Sequence, residues 1–242
     1  PGSPRVYNIA LEIIAHSDGR VDMGTLAGFI KAYQSVTELT LGELWAIPIM
    51  IRLAVIENLR RVCGKIALDM TDYNLAEYWA DRMIDTVKED PGTLILTISD
   101  MVRSKPVLSS AFVTAFTRSL QSKGPVFALP LSWMEEQLSR AGTSSGDLVH
   151  RESQKQAADQ VSVRNSIGTL RFIGTMDWRE FVETLSSVEH ILKRDPAGVY
   201  ALMDFATRDR YRHVVESVAK HSPLSETEVA RKVIELAEQQ PR

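Results

Sequence analysis

The sequence holds a single cysteine, Cys63, in 242 residues, so no internal disulfide is possible and no cysteine-based zinc site can be assembled. A reducing compartment suits such a chain. The formal net charge is only −3, which supplies no general pull toward polyphosphate, and no nucleic-acid partner is expected. Long apolar runs are missing too. The stretch from Leu44 to Ile56 is broken by Pro48 and Arg52 and falls short of the roughly 20 residues that a spanning helix needs. No direct membrane span is expected in this segment. Neither G-x-G-x-x-G nor G-x-x-x-x-G-K-[ST] occurs, so no phosphate cradle is legible. The five histidines (16, 150, 190, 213 and 221) show no H-x₃-H or H-E-x-x-H spacing, and the expectation is metal: none and cofactors: none. The N-terminus, PGSPRVYNIALEII, has no secretory h-region with a cleavage site and no initiator Met, and is read as cut from something longer.

What is present is ordinary globular material, 44% hydrophobic and 24% charged, enough to bury a substantial core. Apolar residues recur at three- and four-residue spacing, and no stretch alternates with period two. The fold class is therefore all-α, a multi-helix bundle of about nine to eleven helices. Helices are expected near 4–17, 22–35, 40–67, 73–89, 91–103, 107–122, 132–140, 148–173, 177–193, 196–220 and 225–239. Four capping boxes support these starts: Thr40 with Glu43, Ser132 with Glu135, Asp177 with Glu180, and Ser225 with Glu228. Asp90-Pro91 and Asp195-Pro196 read as N-caps followed by proline at the first helical position. The polar break SRAGTSSGD (139–147) is the expected linker between an N-terminal half, 1–138, and a C-terminal half, 148–242. An echo between 86–100 and 191–204 suggests two similar helical halves.

Gly142-Thr143-Ser144-Ser145-Gly146 matches G-x-S-x-G, but a nucleophile elbow needs a strand before the serine, and none is expected here. The helix opening at Thr40 is apolar on nearly all faces as far as Ile56, which reads as a buried central helix with Arg52 as a charge at core depth. Glu43, Trp45, Arg52, Glu57, Asn58, Arg60 and Arg61 form a candidate ligand groove along it. The other charged cluster is MDFATRDRYRH (203–213). Helical spacing places Asp204 by Arg208, Asp209 by His213 and Arg212 by Glu216, beside an inward apolar stripe of Leu202, Phe205, Tyr211, Val215 and Val218. Each carboxylate has an arginine within a turn, a poor setting for a general acid. Asp204, Arg208, Asp209, Arg210, Arg212 and His213 are therefore a candidate docking or anion-binding face.

Two blocks, AYQSVTELTLGELWAIPIMIRLAVIENLRR (32–61) and MDWREFVETLSSVEHILKRDPAGVYALMDFATRDRYRHVVE (176–216), resemble the segment of cyclic β-1,2-glucan synthases that lies ahead of their glycosyltransferase domain. HSDGRVDMGTLAGFIKAYQ (16–34) and SVRNSIGTLRFI (162–173) fit the same region. The resemblance implies a very large bacterial inner-membrane enzyme that transfers glucose from UDP-glucose into β-1,2-linked chains carried on the protein. These are trimmed by a phosphorylase-like domain and released to the periplasm as rings. The transferase motifs D-x-D and Q/R-x-x-R-W that the family carries are absent here, so its catalytic residues map to no position of this chain and the expectation is catalytic: none.

The resemblance thus implies a non-catalytic accessory region on the cytoplasmic face of the membrane. Its partners would be the glycosyltransferase domain and the membrane-spanning region of the same parent chain. A self-standing helical interaction module is the alternative. A second is a β-glucan-binding module using Trp45, Trp79, Trp133 or Trp178.

Overall fold

The three- and four-residue apolar spacing becomes eleven α-helices and three short 3₁₀ turns, with no strand, among residues 2–239, which the computed structural model describes. The helices are α1 (Arg5–His16), α2 (Met23–Gln34), α3 (Leu41–Glu89), α4 (Leu94–Ser104), α5 (Ser110–Leu120), α6 (Ala128–Arg140), α7 (Ser145–Thr175), α8 (Trp178–Leu185), α9 (Ser187–Leu192), α10 (Phe205–Lys220) and α11 (Glu226–Gln239). Two of the four expected capping boxes close in both directions, and a third forms as a one-sided N-cap. Thr40 and Glu43 satisfy each other's backbone N–H groups, as do Ser225 and Glu228, and Asp177 accepts from the amides of Arg179 and Glu180. Ser132 is the exception. A 3₁₀ turn at Pro125–Phe127 starts the chain early into α6, so Ser132 lies inside the helix and Glu135 instead accepts from the amide of Ser145.

Two expected helices, 40–67 and 73–89, are one. α3 continues through Pro48 and through the polar stretch at 69–72. Asp69 there pairs with Lys155, and the Thr71 hydroxyl donates to the carbonyl of Ala67, so polarity marks an outer helical face and not a break. The helix expected at 196–220 starts only at Phe205. The Asp195 carboxylate accepts from the amides of Ala197, Val199 and Tyr200 and holds 196–202 as a turn.

The chain divides into unit 1 (1–58 and 165–242) and unit 2 (59–164). The linker expected at 139–147 therefore corrects to a corner inside unit 2. Gly142, at φ 75°, turns the chain there, and the Ser144 hydroxyl caps α7 by accepting from the amide of Asp147. The serine of the G-x-S-x-G match is thus a helix cap.

In unit 1, α1 and α2 bury Val6, Ala10, Ile13, Ile14, Leu26 and Ile30. The turn between them places Asp18 and Gly19 at positive φ. There the buried Thr169 hydroxyl of α7 accepts from the amide of Val21 at 2.8 Å and donates to the carbonyl of Gly19 at 2.7 Å. A second cluster joins Leu41 with Val188, Ile191 and Leu192 of α9, Tyr200, Val215 of α10, and Val229 and Ala230 of α11. The amide of Leu41 donates to the Glu226 carboxylate at 2.8 Å.

Unit 2 is built around α5, whose Phe112 and Phe116 are fully buried and stack with ring centroids 5.7 Å apart. Ala76, Trp79, Ala80 and Met83 of α3, Leu94, Ile98 and Met101 of α4, and Met134 and Leu138 of α6 complete that core.

Candidate functional site

The charged stretch of α10 folds into a buried ion cluster in unit 1. Asp204 does not pair with Arg208. It caps α10, accepting from the amide of Thr207 at 2.8 Å, and that bond holds its carboxyl below the usual carboxylate range. Freed from Asp204, Arg208 reaches back to α8. Its Nε and Nη2 donate to the two oxygens of Glu183 at 3.1 and 2.8 Å, and its Nη1 donates to the carbonyl of Met203.

Arg212 is 1% exposed. One of its terminal nitrogens donates to Glu183 at 2.8 Å and Glu189 at 2.7 Å, and the other donates to Asp209 at 3.0 Å. Its guanidinium carbon lies 4.9 Å from the ring centre of Phe205, over which Arg179 also sits at 5.1 Å. Trp45 meets the edge of the same ring with centroids 6.3 Å apart.

Glu189 is the hub on the acidic side. It is fully buried, between Val188 and Ile191 in sequence. One oxygen accepts from the Tyr200 hydroxyl at 2.8 Å and from Arg212; the other lies 3.3 Å from Lys193 and 3.5 Å from Arg208. Burial by itself pushes the Glu189 carboxyl up, but the hydrogen bonds from Tyr200 and Arg212 outweigh it and hold the group below its ordinary range. For Arg212, burial works against the charge, and the bonds to Glu183, Glu189 and Asp209 reverse that, raising it above its ordinary value. Burial and the bond to Glu189 push the Tyr200 hydroxyl up.

The cluster balances three carboxylates (Glu183, Glu189, Asp209) against three cations (Lys193, Arg208, Arg212). Within these six groups the charges offset one another, and the Glu189 carboxyl is held below its ordinary range, the opposite of a poised general acid. The arrangement ties α8, α9 and α10 together.

The expected docking face is corrected on this point. Arg208 and Arg212 spend their donors inside the protein, because the stripe that faces inward is Phe205, Arg208, Arg212, Val215 and Ala219, also spaced by threes and fours. Of the stripe expected inward, Leu202 is 86% exposed, and Tyr211 and Val218 are about half exposed. Arg210 and His213 stay on the surface, where His213 Nδ1 meets the carbonyl of Asp209 at 2.8 Å. The expected Arg212–Glu216 pair is replaced by Lys220–Glu216 at 2.7 Å. Glu183, Glu189 and Tyr200 are not legible in the sequence as members of the cluster; the only trace is an acid at 189 within the apolar-spaced run Val188, Ile191 and Leu192.

Of the candidate groove residues on α3, Glu43, Trp45 and Asn58 of unit 1 turn to separate partners. Glu43 pairs with Arg5 and caps Thr40; Trp45 turns to Phe205; Asn58 donates to the Ser166 hydroxyl at 3.0 Å. Glu57 lies with these in unit 1, whereas Arg60 and Arg61 fall in unit 2. Arg52 is exposed, not at core depth, because α3 is one-sided here. Leu44, Ile47, Ile51, Ala54 and Val55 are buried, and Ile49, Leu53 and Ile56 are 55%, 46% and 55% exposed. The tryptophans offer no open platform: Trp79 is buried, Trp45, Trp133 and Trp178 are half-buried, and the Trp178 indole donates to the carbonyl of Ile173. No helix is long and apolar enough to cross a membrane, and no cluster of His, Cys, Asp and Glu suits a metal ion, among the described residues.

No protein-family model matches the chain. Over 236 residues, 98% of its length, it is 28% identical to the cyclic beta-(1,2)-glucan synthase NdvB of Rhizobium meliloti (strain 1021). It spans only 8% of that protein's length. The similarity carried by the blocks at 32–61 and 176–216 thus extends along nearly the whole chain, which matches one region of a much larger cyclic β-(1,2)-glucan synthase.

Proposed function

We propose that this chain is a non-catalytic helical scaffold of a cyclic β-1,2-glucan synthase, holding the glycosyltransferase domain and membrane-spanning part of its parent polypeptide from the cytoplasmic face. The observation that carries this reading is the match along 98% of the chain to a region making up 8% of a synthase. The character of the polar cluster supports it. Its carboxylates and cations pair with one another across α8, α9 and α10, as in a device that fixes helices against one another. Transfer of glucose from UDP-glucose and closure of the glucan ring then belong to other parts of the parent.

Two measurements test this. Given UDP-glucose and β-1,2-glucan, the isolated chain should release neither UDP nor glucose; turnover above background would overturn the division of labour. The cytoplasmic placement is tested through the exposed Cys63. A membrane-impermeant maleimide should label it in inside-out vesicles and not in intact spheroplasts, with Cys63→Ser as the blank. The reverse pattern would place the region on the other side.

A further inference from the structure

α10 and α11 succeed one another through the short turn at 221–225, and each carries more apolar surface than its packing consumes. On α10, Val215 is buried while Val214 and Val218 stay 62% and 47% exposed; on α11, Val229 and Ala230 are buried while Val233 and Leu236 stay 43% and 62% exposed. The exposed residues continue at helical spacing: 214 and 218 on one helix, 233 and 236 on the other, one turn beyond the buried Val229. Between them lies a cavity of about 200 Å³ lined by seven aliphatic side chains and Lys232. A helix pair that needs one stripe each for its own contacts, and presents a second stripe on each partner, has the seam of a third helix.

We propose that this groove seats an amphipathic helix from another part of the same polypeptide, with aliphatic side chains inserted between the two stripes and a carboxylate opposite Lys232. Three observations select that occupant. The matched synthase is so much longer that this region is 8% of it, so on the scaffold reading, on which this inference rests, most of the surrounding polypeptide lies outside these residues. Four part-exposed side chains fall far short of the roughly 1,200 Å² that a stable interface between separate molecules buries, whereas a tethered helix docks at high effective concentration and needs far less. Lys232 is the only charged residue lining the cavity among the described residues, and the acid one turn before it, Glu228, is bonded to the amide and hydroxyl of Ser225, so charge complementarity asks for an acid on the incoming helix.

The test is site-specific photocrosslinking in the full-length parent polypeptide, with the crosslinking amino acid at Val214 or Leu236 and, in a separate protein, at the exposed Leu53 of α3. The expected result is a crosslink from 214 and 236 to a peptide of the same polypeptide outside these 242 residues, containing Asp or Glu. Lys232→Glu should reduce its yield. Crosslinks only between two copies, or none from 214 and 236 while Leu53 reaches the rest of the parent, would sink the groove proposal and leave the scaffold reading standing. Silence at all three positions would count against both.

Discussion

Replacing Arg212 with methionine keeps much of the side chain's bulk and removes its three hydrogen bonds to Glu183, Glu189 and Asp209. Glu189, fully buried, then keeps only the Tyr200 hydroxyl as a close donor, with Lys193 and Arg208 at 3.3 and 3.5 Å. Breaking a buried pair from one side typically costs about 3–5 kcal/mol, and the remaining contacts place this case near the lower end, about 3 kcal/mol. Glu189→Gln, which preserves shape and removes charge, should cost about 1–3 kcal/mol. The double variant Arg212→Met with Glu189→Leu should cost clearly less than the sum of its singles, because it leaves no orphaned carboxylate at position 189. Urea unfolding at 25 °C and pH 7 reads these values. A Trp79→Phe, Trp133→Phe background leaves Trp45 and Trp178 as fluorophores, both in unit 1, so the transition reports on the unit that holds the cluster. A cost below about 1 kcal/mol for Arg212→Met, in the range of exposed ion pairs, or strict additivity in the double variant, would refute the claim that the cluster acts as a connected buried unit.

The same cluster sets an acid limit. The folded Glu189 carboxyl sits below its unfolded value of about 4.3, so its contribution is present above that pH and lost as pH falls through the folded value; Glu189→Gln should flatten the acid limb of a stability-versus-pH curve. Glu226 has the opposite sign. Burial and the nearby Glu216 and Glu43 push it up, so its charge opposes folding once pH exceeds about 4.3. Glu226→Gln, whose amide oxygen can still accept from Leu41, should therefore be the more stable protein at pH 7 and match the parent at pH 3, as thermal melts would show. Thr169→Val leaves the amide of Val21 without its buried acceptor, and denaturant unfolding should show a loss of about 1–3 kcal/mol.

Helical class and most helix boundaries are legible because they rest on local signals: caps at Thr40, Asp177 and Ser225, and apolar spacing along each segment. Where expectation and structure part, the deciding contact is distant in sequence or hidden on an outer face. Asp69 and Thr71 read as a break because their partners, Lys155 and the carbonyl of Ala67, carry no mark in the local pattern. Spacing marks the α10 stretch as a set of ion pairs and rightly places Asp209 by His213, 3.4 Å apart, but names the wrong partners for Arg208 and Arg212. The i to i+4 rule favours Asp204 for Arg208, whereas the folded chain offers Glu183, 25 residues earlier, and leaves Asp204 to cap the helix. Glu189 and Tyr200 cannot be linked to Arg212 from spacing alone, since the chain must turn twice between them.

The buried cluster also constrains how this sequence can drift. Glu183, Glu189, Tyr200 and the α10 pair Arg208 and Arg212 come from four stretches of chain yet share hydrogen bonds and charge, so a change at one position strands another in the interior. Each one-step route away passes through an intermediate weakened by a lone buried ion. Related chains should therefore retain these five positions as a block or exchange them together for an apolar set, and a relative with only half the set should carry a compensating residue at the same spot in space.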